Sequence, residues 1–244
     1  MAASCCMEPA LELARLRRAC THCTMHTLCL PAGSDALSLR PQDSLIRSDR
    51  TLGRGERLFR AGQVLDAVYL VRDGALKTIT LAKDGEEQVL GFHLPGEMVG
   101  LGALATGRHR SEAVSLTATR VCEVPFAELG QLAARSPSLQ AQLLRVMGQG
   151  VARDQDHVEM LIRRQAAERI ALFVHGLQER YRLGGRSASE LVLPMSREEI
   201  GRFLGLALET VSRGFSRLQE DGVIAVSGRR VEILDAAALG RLVQ

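Results

Sequence analysis

Cysteines are the residues of this chain whose type and spacing most directly suggest chemistry. The 244-residue sequence contains six, and all but Cys122 lie within the first 29 residues, at Cys5, Cys6, Cys20, Cys23 and Cys29. The inner three follow the pattern Cys-x2-Cys-x5-Cys. Such short gaps allow thiolates on one loop to converge on a metal, and an iron–sulfur centre usually takes four thiolate ligands. The spacing therefore favours a cluster-binding segment at residues 1–46.

Other interpretations of the same cysteines remain open on spacing alone. His22 and His26 lie among the thiols and could complete a tetrahedral zinc site. Covalent haem is disfavoured because Thr24 follows the Cys-x-x-Cys pair, and a thioredoxin-like redox pair is disfavoured because no βαβ pattern surrounds it. The thiols could also be ordinary reduced cysteines. Cys122, taken alone, is more typical of a small core residue than of a ligand.

A second motif lies near the carboxyl end of the chain. Ser196 followed three residues later by Glu199 is a capping box, which predicts a helix over residues 197–204. Gly205 is expected to supply a turn, and a second helix is expected over residues 207–221 with Val211, Phe215 and Leu218 buried. Helix, glycine turn and helix at this spacing predict a helix-turn-helix. Residues 223–234, with a turn at residues 227–228, predict a β-hairpin wing.

The polar side chains of the second predicted helix suit the reading of DNA bases. Glu209, Ser212 and Arg213 are predicted to share its N-terminal face, where a recognition helix meets base edges. An arginine can bind guanine O6 and N7, a glutamate can accept from the cytosine amino group, and a serine serves several bases. A solvated helix face is the alternative. Further DNA contacts are assigned to the other polar residues of the motif: Ser196, Arg197, Thr210 and Arg217.

The elements that must position these residues follow from periodicity. Short alternating runs broken by glycine turns predict an antiparallel β-roll over residues 47–135, with strands at 67–71, 75–81 and 88–94. Residues 136–163 carry an apolar row with the 3–4 spacing of a coiled-coil seam, which predicts a dimerisation helix or, alternatively, a helix packed on its own domain. Its members are Leu144, Met147, Val151, Asp154, Val158 and Leu161. A further helix over residues 164–181 opens a DNA-binding domain at 164–244, so the fold class is α+β.

Asp154 is the polar member of this apolar row. In a parallel homodimer it would face its symmetry mate, and at about 5 Å with an effective dielectric near 20 the repulsion is about 3 kcal/mol when both are ionised. The row therefore predicts a marginal dimer that can be switched.

Composition excludes several classes of protein. The chain has 31 Lys+Arg against 28 Asp+Glu, so its net charge of +3 does not by itself identify a nucleic-acid-binding protein. No run approaches the 18 apolar residues of a membrane span, and residues 1–19 lack the apolar segment of a signal peptide. We expect a cytoplasmic protein, where disulfides are rare and clustered cysteines more often bind metal or act in redox chemistry.

The order of β-roll, long helix and winged helix-turn-helix resembles the cyclic-AMP receptor protein superfamily. Within it the sequence is similar to the fumarate and nitrate reduction regulators, oxygen-responsive bacterial transcription factors. The resemblance runs from about residue 20 to residue 239. It rests on the cysteine pattern with the distant Cys122 and on residues 91–97 (GFHLPGE), 154–156 (DQD) and 209–213 (ETVSR).

This resemblance implies a cofactor and a mechanism of control. It implies a [4Fe-4S] cluster whose ligands are Cys20, Cys23, Cys29 and Cys122, whereas Cys5 and Cys6 match no ligand. An intact cluster would favour a DNA-binding homodimer, and oxygen would degrade the cluster and return the protein to a monomer.

The resemblance also implies partners. The DNA site would be an inverted repeat of TTGAT half-sites read by Glu209, Ser212 and Arg213. Leu28, beside Cys29, is expected to limit access of oxygen to the cluster. A predicted hairpin turn resembles the family's contact with RNA polymerase, although an ordinary hairpin tip is the alternative; it comprises Lys83, Asp84, Gly85, Glu86 and Glu87.

Three alternative functions differ from this one in the signal sensed or in the class of protein. A cyclic-nucleotide-responsive regulator of the same fold is supported by residues 110–113 (RSEA), which resemble part of the superfamily's phosphate-binding segment, but the acidic residue that holds the ribose corresponds here to Leu101. A thiol-redox-responsive regulator would keep the cysteines without iron. An enzyme is not expected, because the sequence has no glycine-rich phosphate loop, nucleophile elbow or paired-carboxylate motif.

Overall fold

The computed structural model describes residues 48–83 and 85–243. The chain divides into two compact units, one formed by the chain up to Leu76 together with His93–Gln149, and the other by Lys77–Phe92 together with the chain from Gly150 onward. The predicted boundaries at residues 46, 135 and 163 stay predictions. Among the helices of the described ranges, none has the length and apolar character needed to cross a membrane.

Two antiparallel sheets account for the predicted β-roll, which is confirmed. The strands are β1 (Ser48–Leu52), β2 (Arg57–Phe59), β3 (Ala67–Asp73), β4 (Leu76–Leu81), β5 (Glu87–His93), β6 (Met98–Val99), β7 (Glu112–Ser115) and β8 (Thr119–Pro125). One sheet has the strand order β1-β8-β3-β6 and the other β2-β7-β4-β5. The predicted strands are found within two residues of their expected bounds.

Strand β3 shows why its sequence is an unbroken apolar run. Successive side chains of a strand point to opposite faces of the sheet, and here both faces are covered. Val68 and Leu70 belong to one buried cluster together with Cys122, whereas Tyr69 and Val71 belong to another. The sequence of a strand that is buried on both faces is continuously hydrophobic, because no side chain alternates toward solvent.

The long helix predicted at residues 136–163 is confirmed as α2 (Pro137–Ile162), which follows α1 (Phe126–Ala133). It buries Leu139 and Val146 in the cluster that contains Cys122. The predicted apolar row lies on another side of the helix, where Leu144, Val151 and Val158 are 62%, 57% and 59% exposed. Asp154 and Leu161 are also exposed, and Met147 is half-buried. The row is therefore available to a partner, as the dimer prediction requires.

The predicted helix-turn-helix and wing are confirmed in the second unit. Its elements are α3 (Ala166–Leu183), β9 (Glu190–Val192), α4 (Arg197–Leu204), α5 (Leu208–Glu220), β10 (Ile224–Ser227), β11 (Arg230–Ile233) and α6 (Ala236–Arg241). The helix predicted at 164–181 begins later, because Gln165 is an extended cap residue with ψ 132°. Gly228 turns the wing hairpin with φ +59°, as two-residue hairpin turns require.

Helix α5 packs very closely on α3 at Gly214. A Cβ atom added there would lie 2.1 Å from Ile170 Cδ1, and Ile170 is fully buried. A larger residue would have to displace the Ile170 side chain within the buried contact. The glycine therefore allows α5 to pack closely against α3.

Candidate nucleic-acid interface and metal centre

The capping box predicted at the start of α4 is present in both directions. The Glu199 N–H donates to Ser196 Oγ at 3.1 Å, and the Ser196 N–H donates to Glu199 Oε2 at 2.7 Å. Burial opposes ionisation of the Glu199 carboxyl, but the Ser196 N–H and the Lys77 ammonium outweigh it and hold the pKa below its ordinary value. A cap of this kind stabilises a helix by about 1 kcal/mol, so the box fixes where α4 begins.

The turn between α4 and α5 is built around two glycines. Gly205 has φ +64°, a left-handed conformation that favours glycine. The Leu206 N–H donates to the Gly201 carbonyl at 2.9 Å, and a Cβ atom on Gly201 would lie only 2.5 Å from the Leu206 carbonyl oxygen. Arg169 Nη1 donates to the Leu204 carbonyl at 3.0 Å, so this carbonyl at the end of α4 has a hydrogen-bond partner. The two glycines and these hydrogen bonds together stabilise the turn conformation.

Helix α5 separates a buried face from an exposed polar face. Val211, Phe215 and Leu218 are at most 5% exposed. The side chains predicted to read bases lie on the exposed side, together with Arg217, whereas Thr210 is half-buried; the base-reading set is Glu209, Ser212 and Arg213. Spacings of three and four residues place these three on one face of the first turns of the helix. The arrangement fits a recognition helix that enters the major groove.

Arg197, which the sequence predicts as a DNA contact, is partly buried and stacks on the Phe215 ring of α5. Its guanidinium carbon lies 3.3 Å from the centroid of the Phe215 ring, and burial lowers the pKa of the group to about 10. The Ser196 hydroxyl is likewise engaged in the capping box. Both residues thus have internal roles in the helix-turn-helix, and their contact with DNA stays a prediction. No sequence signal marks this stacking, because it depends on how α4 crosses α5.

The structure describes one of the four predicted cluster ligands. Cys122 is 5% exposed on β8, in a cluster that includes Leu70 and Val124. It pairs with Asp49 of β1, and the thiol Sγ lies 3.5 Å from Asp49 Oδ1. Arg72 forms an ion pair with the same carboxylate and offsets its charge. Cys5, Cys6, Cys20, Cys23, Leu28 and Cys29 lie outside the described residues.

Two observations test whether this place fits an iron–sulfur cluster. Thiolate is the donor that such clusters take. The side chains packed around Cys122 are apolar, and the negative charge of the neighbouring Asp49 carboxylate is offset by Arg72. Strand β1 brings the start of the described chain directly beside Cys122, and the residues between Cys29 and Ser48 can extend about 60 Å. Within the described residues, no three side chains of His, Cys, Asp or Glu form a metal site of their own. The buried and largely apolar surroundings of Cys122 thus fit the predicted ligand role, and the full ligand set stays a prediction because the other three cysteines lie outside the described residues.

The predicted polymerase-contacting turn is a hairpin tip between β4 and β5. Lys83, Gly85 and Glu86 are exposed, and Asp84 lies outside the described residues. Glu87 differs from the expectation of an exposed residue, because it is half-buried and forms ion pairs with Lys77 and Arg202. Sequence reasoning missed this role because both partners become neighbours only in the folded chain.

Comparisons with known proteins match this arrangement. The family model described as a cyclic nucleotide-binding domain matches residues 49–136, and that of the Crp-like helix-turn-helix domain matches residues 168–242. The transcriptional activator protein Anr of Pseudomonas protegens is 45% identical, covering 95% of each chain. The fumarate and nitrate reduction regulatory protein of Escherichia coli is 37% identical over 91% of this chain and 89% of its own. The structure of FixK2 from Bradyrhizobium japonicum has a TM-score of 0.72 at 31% identity, covering 80% of this chain and 96% of its own.

Proposed function

Because the chain belongs to the family of fumarate and nitrate reduction regulators, we propose that it is an oxygen-responsive transcription activator that binds DNA as a homodimer. The observation that carries the proposal is the exposed face of α5 with Glu209, Ser212 and Arg213. These side chains lie on a helix that follows the Gly205 turn and packs on α3 at Gly214. The matched Crp-like helix-turn-helix domain and the curated activators support the same role.

The proposed oxygen response depends on a [4Fe-4S] cluster held by Cys20, Cys23, Cys29 and Cys122. When bound, such a cluster supplies a group that reacts with oxygen. The chain's own contribution is to bury the Cys122 thiol among apolar side chains and to offset the neighbouring Asp49 carboxylate with Arg72. Leu28 is proposed to limit access at the N-terminal side. The buried setting of Cys122 supports a ligand protected from water.

The proposed DNA contacts divide into two kinds. Glu209, Ser212 and Arg213 would read base edges of TTGAT half-sites, and Arg217 would meet the phosphate backbone, which positions a protein without reading sequence. Thr210, Ser196 and Arg197 were predicted as further contacts, and their partial burial makes them the weaker members of the set. RNA polymerase is proposed as a partner through the hairpin tip at Lys83, Gly85 and Glu86.

Anaerobic purification followed by a DNA-binding titration tests the proposal. We expect visible absorbance with stoichiometric iron and sulfide, and tight binding to a duplex that carries an inverted TTGAT repeat. Exposure to air should remove both the absorbance and the tight binding. Equal binding before and after air would contradict the oxygen response, whereas failure to prefer the TTGAT duplex under either condition would contradict the assigned DNA site.

A cyclic-nucleotide-responsive regulator is the second candidate, since the sensor domain matches a cyclic nucleotide-binding family model. One feature of the described residues disfavours it. Leu101 begins a short 3-10 helix at the position expected for the ribose-holding acid, and its side chain packs against the buried cluster around Cys122. Calorimetric titration of cluster-free protein with cyclic AMP would reveal tight binding if this candidate were right.

A further inference from the structure

The hairpin formed by β4 and β5 is joined to the helix-turn-helix by a set of linked ion pairs. We propose that Lys77, Glu87, Glu199 and Arg202, here called the charged clamp, position helix α4 and thereby set the DNA affinity of the reading helix that follows it. The inference rests on the proposed DNA-binding function and adds to it a means of control. It also reassigns Glu87 from a polymerase contact to a positioning residue.

Lys77 is the centre of the clamp. The residue is only 8% exposed, and its ammonium Nζ lies 3.1 Å from Glu87 Oε2 and 3.1 Å from Glu199 Oε1. A buried charge is costly unless it is paired and hydrogen-bonded, and removing one partner leaves the other uncompensated. Lys77 therefore holds two carboxylates from different elements, one on its own hairpin and one on α4.

Arg202 closes the clamp from the other end of α4. Its Nη1 lies 3.3 Å from Glu87 Oε2, and its Nη2 lies 2.8 Å from Glu198 Oε1. Its carbonyl also accepts a hydrogen bond from Gln88 of β5. Glu87 thus bridges Lys77 and Arg202, and the contact spans both ends of the helix.

An aromatic cluster supports the same contact beside the charges. The Phe92 ring of β5 lies 5.1 Å from that of Phe203 on α4 and 6.2 Å from that of Phe173 on α3. Arg180 Nη2 donates to the Phe92 carbonyl at 2.6 Å. Apolar packing is non-directional, whereas ion pairs of fixed geometry select one arrangement. The aromatic cluster therefore holds the hairpin on the helices, and the charged clamp sets its register.

Glu199 connects the charged clamp to the start of the helix-turn-helix. One carboxylate oxygen accepts the Ser196 N–H in the capping box at 2.7 Å, and the other binds Lys77. Lys77 directly follows Leu76, the first residue of β4. A displacement of β4 would therefore separate the Lys77 ammonium from the Glu199 carboxylate, which takes part in the capping box of α4.

A double-substitution cycle at Lys77 and Glu199 tests the clamp in the full-length protein. Lys77→Met leaves the Glu199 carboxylate without its ammonium, so we expect about tenfold weaker binding to the TTGAT duplex and about tenfold faster amide exchange across residues 197–204. Glu199→Gln keeps an acceptor for the Ser196 N–H, and the double variant should recover most of both losses. Additive losses in the double variant would overturn the proposal.

Glu87→Gln is the second test, and it guards against misfolding of the Lys77 variant because Glu87 is only half-buried. With no polymerase present, it should weaken DNA binding and speed exchange in residues 197–204. Glu179→Gln is the matched control, since Glu179 forms an ion pair with Arg182 within α3 and should change neither measurement. Wild-type exchange and binding by Glu87→Gln would overturn the clamp. If Glu87→Gln exchanged faster in residues 197–204 but neither the wild type nor any variant bound DNA, the clamp would be supported. The proposed DNA-binding function would then be contradicted instead.

Discussion

Asp49 and Cys122 face each other across neighbouring strands, with Asp49 Oδ1 3.5 Å from the Cys122 sulfur. The pairing sets the buried thiol beside the point where the described chain begins. Arg72 forms an ion pair with the same carboxylate and so offsets the negative charge that lies beside the sulfur. The Cys122 thiol is therefore buried like a core residue but also contacts a carboxylate, and its role as a cluster ligand stays a proposal.

Replacing Cys122 with alanine should abolish the cluster. The variant loses the one proposed ligand outside the N-terminal segment, while the small change in volume leaves the roll folded. Iron, sulfide and visible absorbance of anaerobically purified protein provide the measurement, with circular dichroism to confirm folding. Cys5→Ala is the control and should keep a normal cluster. A full complement of iron in Cys122→Ala would remove Cys122 from the ligand set.

Asp154→Ala should produce a dimer in air. The exposed apolar row of α2 would then lose its charge repulsion, worth about 3 kcal/mol for an ionised pair at 5 Å. Sedimentation velocity gives the oligomeric state. Asp156→Ala removes the same charge from a position outside the row and should stay monomeric in air. A monomeric Asp154→Ala protein would show that this residue does not control association.

Arg213→Met should weaken binding to the TTGAT duplex by about 5- to 150-fold, because a bidentate arginine–guanine contact is worth about 1–3 kcal/mol. The loss should shrink when the guanine of each half-site is replaced. Arg217→Met should instead weaken binding to all sequences alike and reduce the salt slope by about 1. Fluorescence anisotropy at several salt concentrations separates the two patterns. If Arg213→Met lost the same affinity for the TTGAT duplex and for the duplex without the guanine, Arg213 would contact the DNA phosphate backbone instead of the base.

Gly201→Ala should destabilise the helix-turn-helix by about 1–3 kcal/mol. The added Cβ would lie 2.5 Å from the Leu206 carbonyl oxygen, a backbone atom that cannot rotate away. Urea unfolding of the full chain measures the change in free energy. Gly130→Ala is the control, because a Cβ on this helical glycine meets nothing within 4 Å, and it should be neutral or stabilising. A neutral Gly201→Ala would show that the turn can relax.

Acid should weaken the second unit through Glu199. The pKa of its carboxyl is lower in the folded chain than its ordinary value of 4.5. The ionised form therefore contributes stability that is fully present above pH 4.5 and is lost as pH falls through the folded value. Thermal unfolding between pH 3.5 and 7 should show a steeper decline for the wild type than for Glu199→Gln. Parallel curves for the two proteins would contradict this linkage.

Local sequence signals were sufficient wherever the deciding contacts are close in the chain. The capping box pairs residues three apart, and Val211, Phe215 and Leu218 follow the helical period. Glycine turns marked the hairpins, because few other residues adopt positive φ. The helix-turn-helix, the wing, the roll and the long helix could therefore be predicted, and their ends shifted by only one or two residues at caps such as Gln165.

Tertiary structure decided what depends on distant residues. Arg202 and Glu87 are 115 positions apart, and no periodicity in either segment indicates that they pair. The stacking of Arg197 on Phe215 likewise depends on the crossing of two helices. Local propensity and side-chain period act within a few residues, so they are enough to specify the elements and the side chains that each one carries. The pairing of the Cys122 thiol with Asp49, and of the Lys77 ammonium with the Glu199 carboxylate of the capping box, arises only on folding, because burial and pairing are properties of the packed chain.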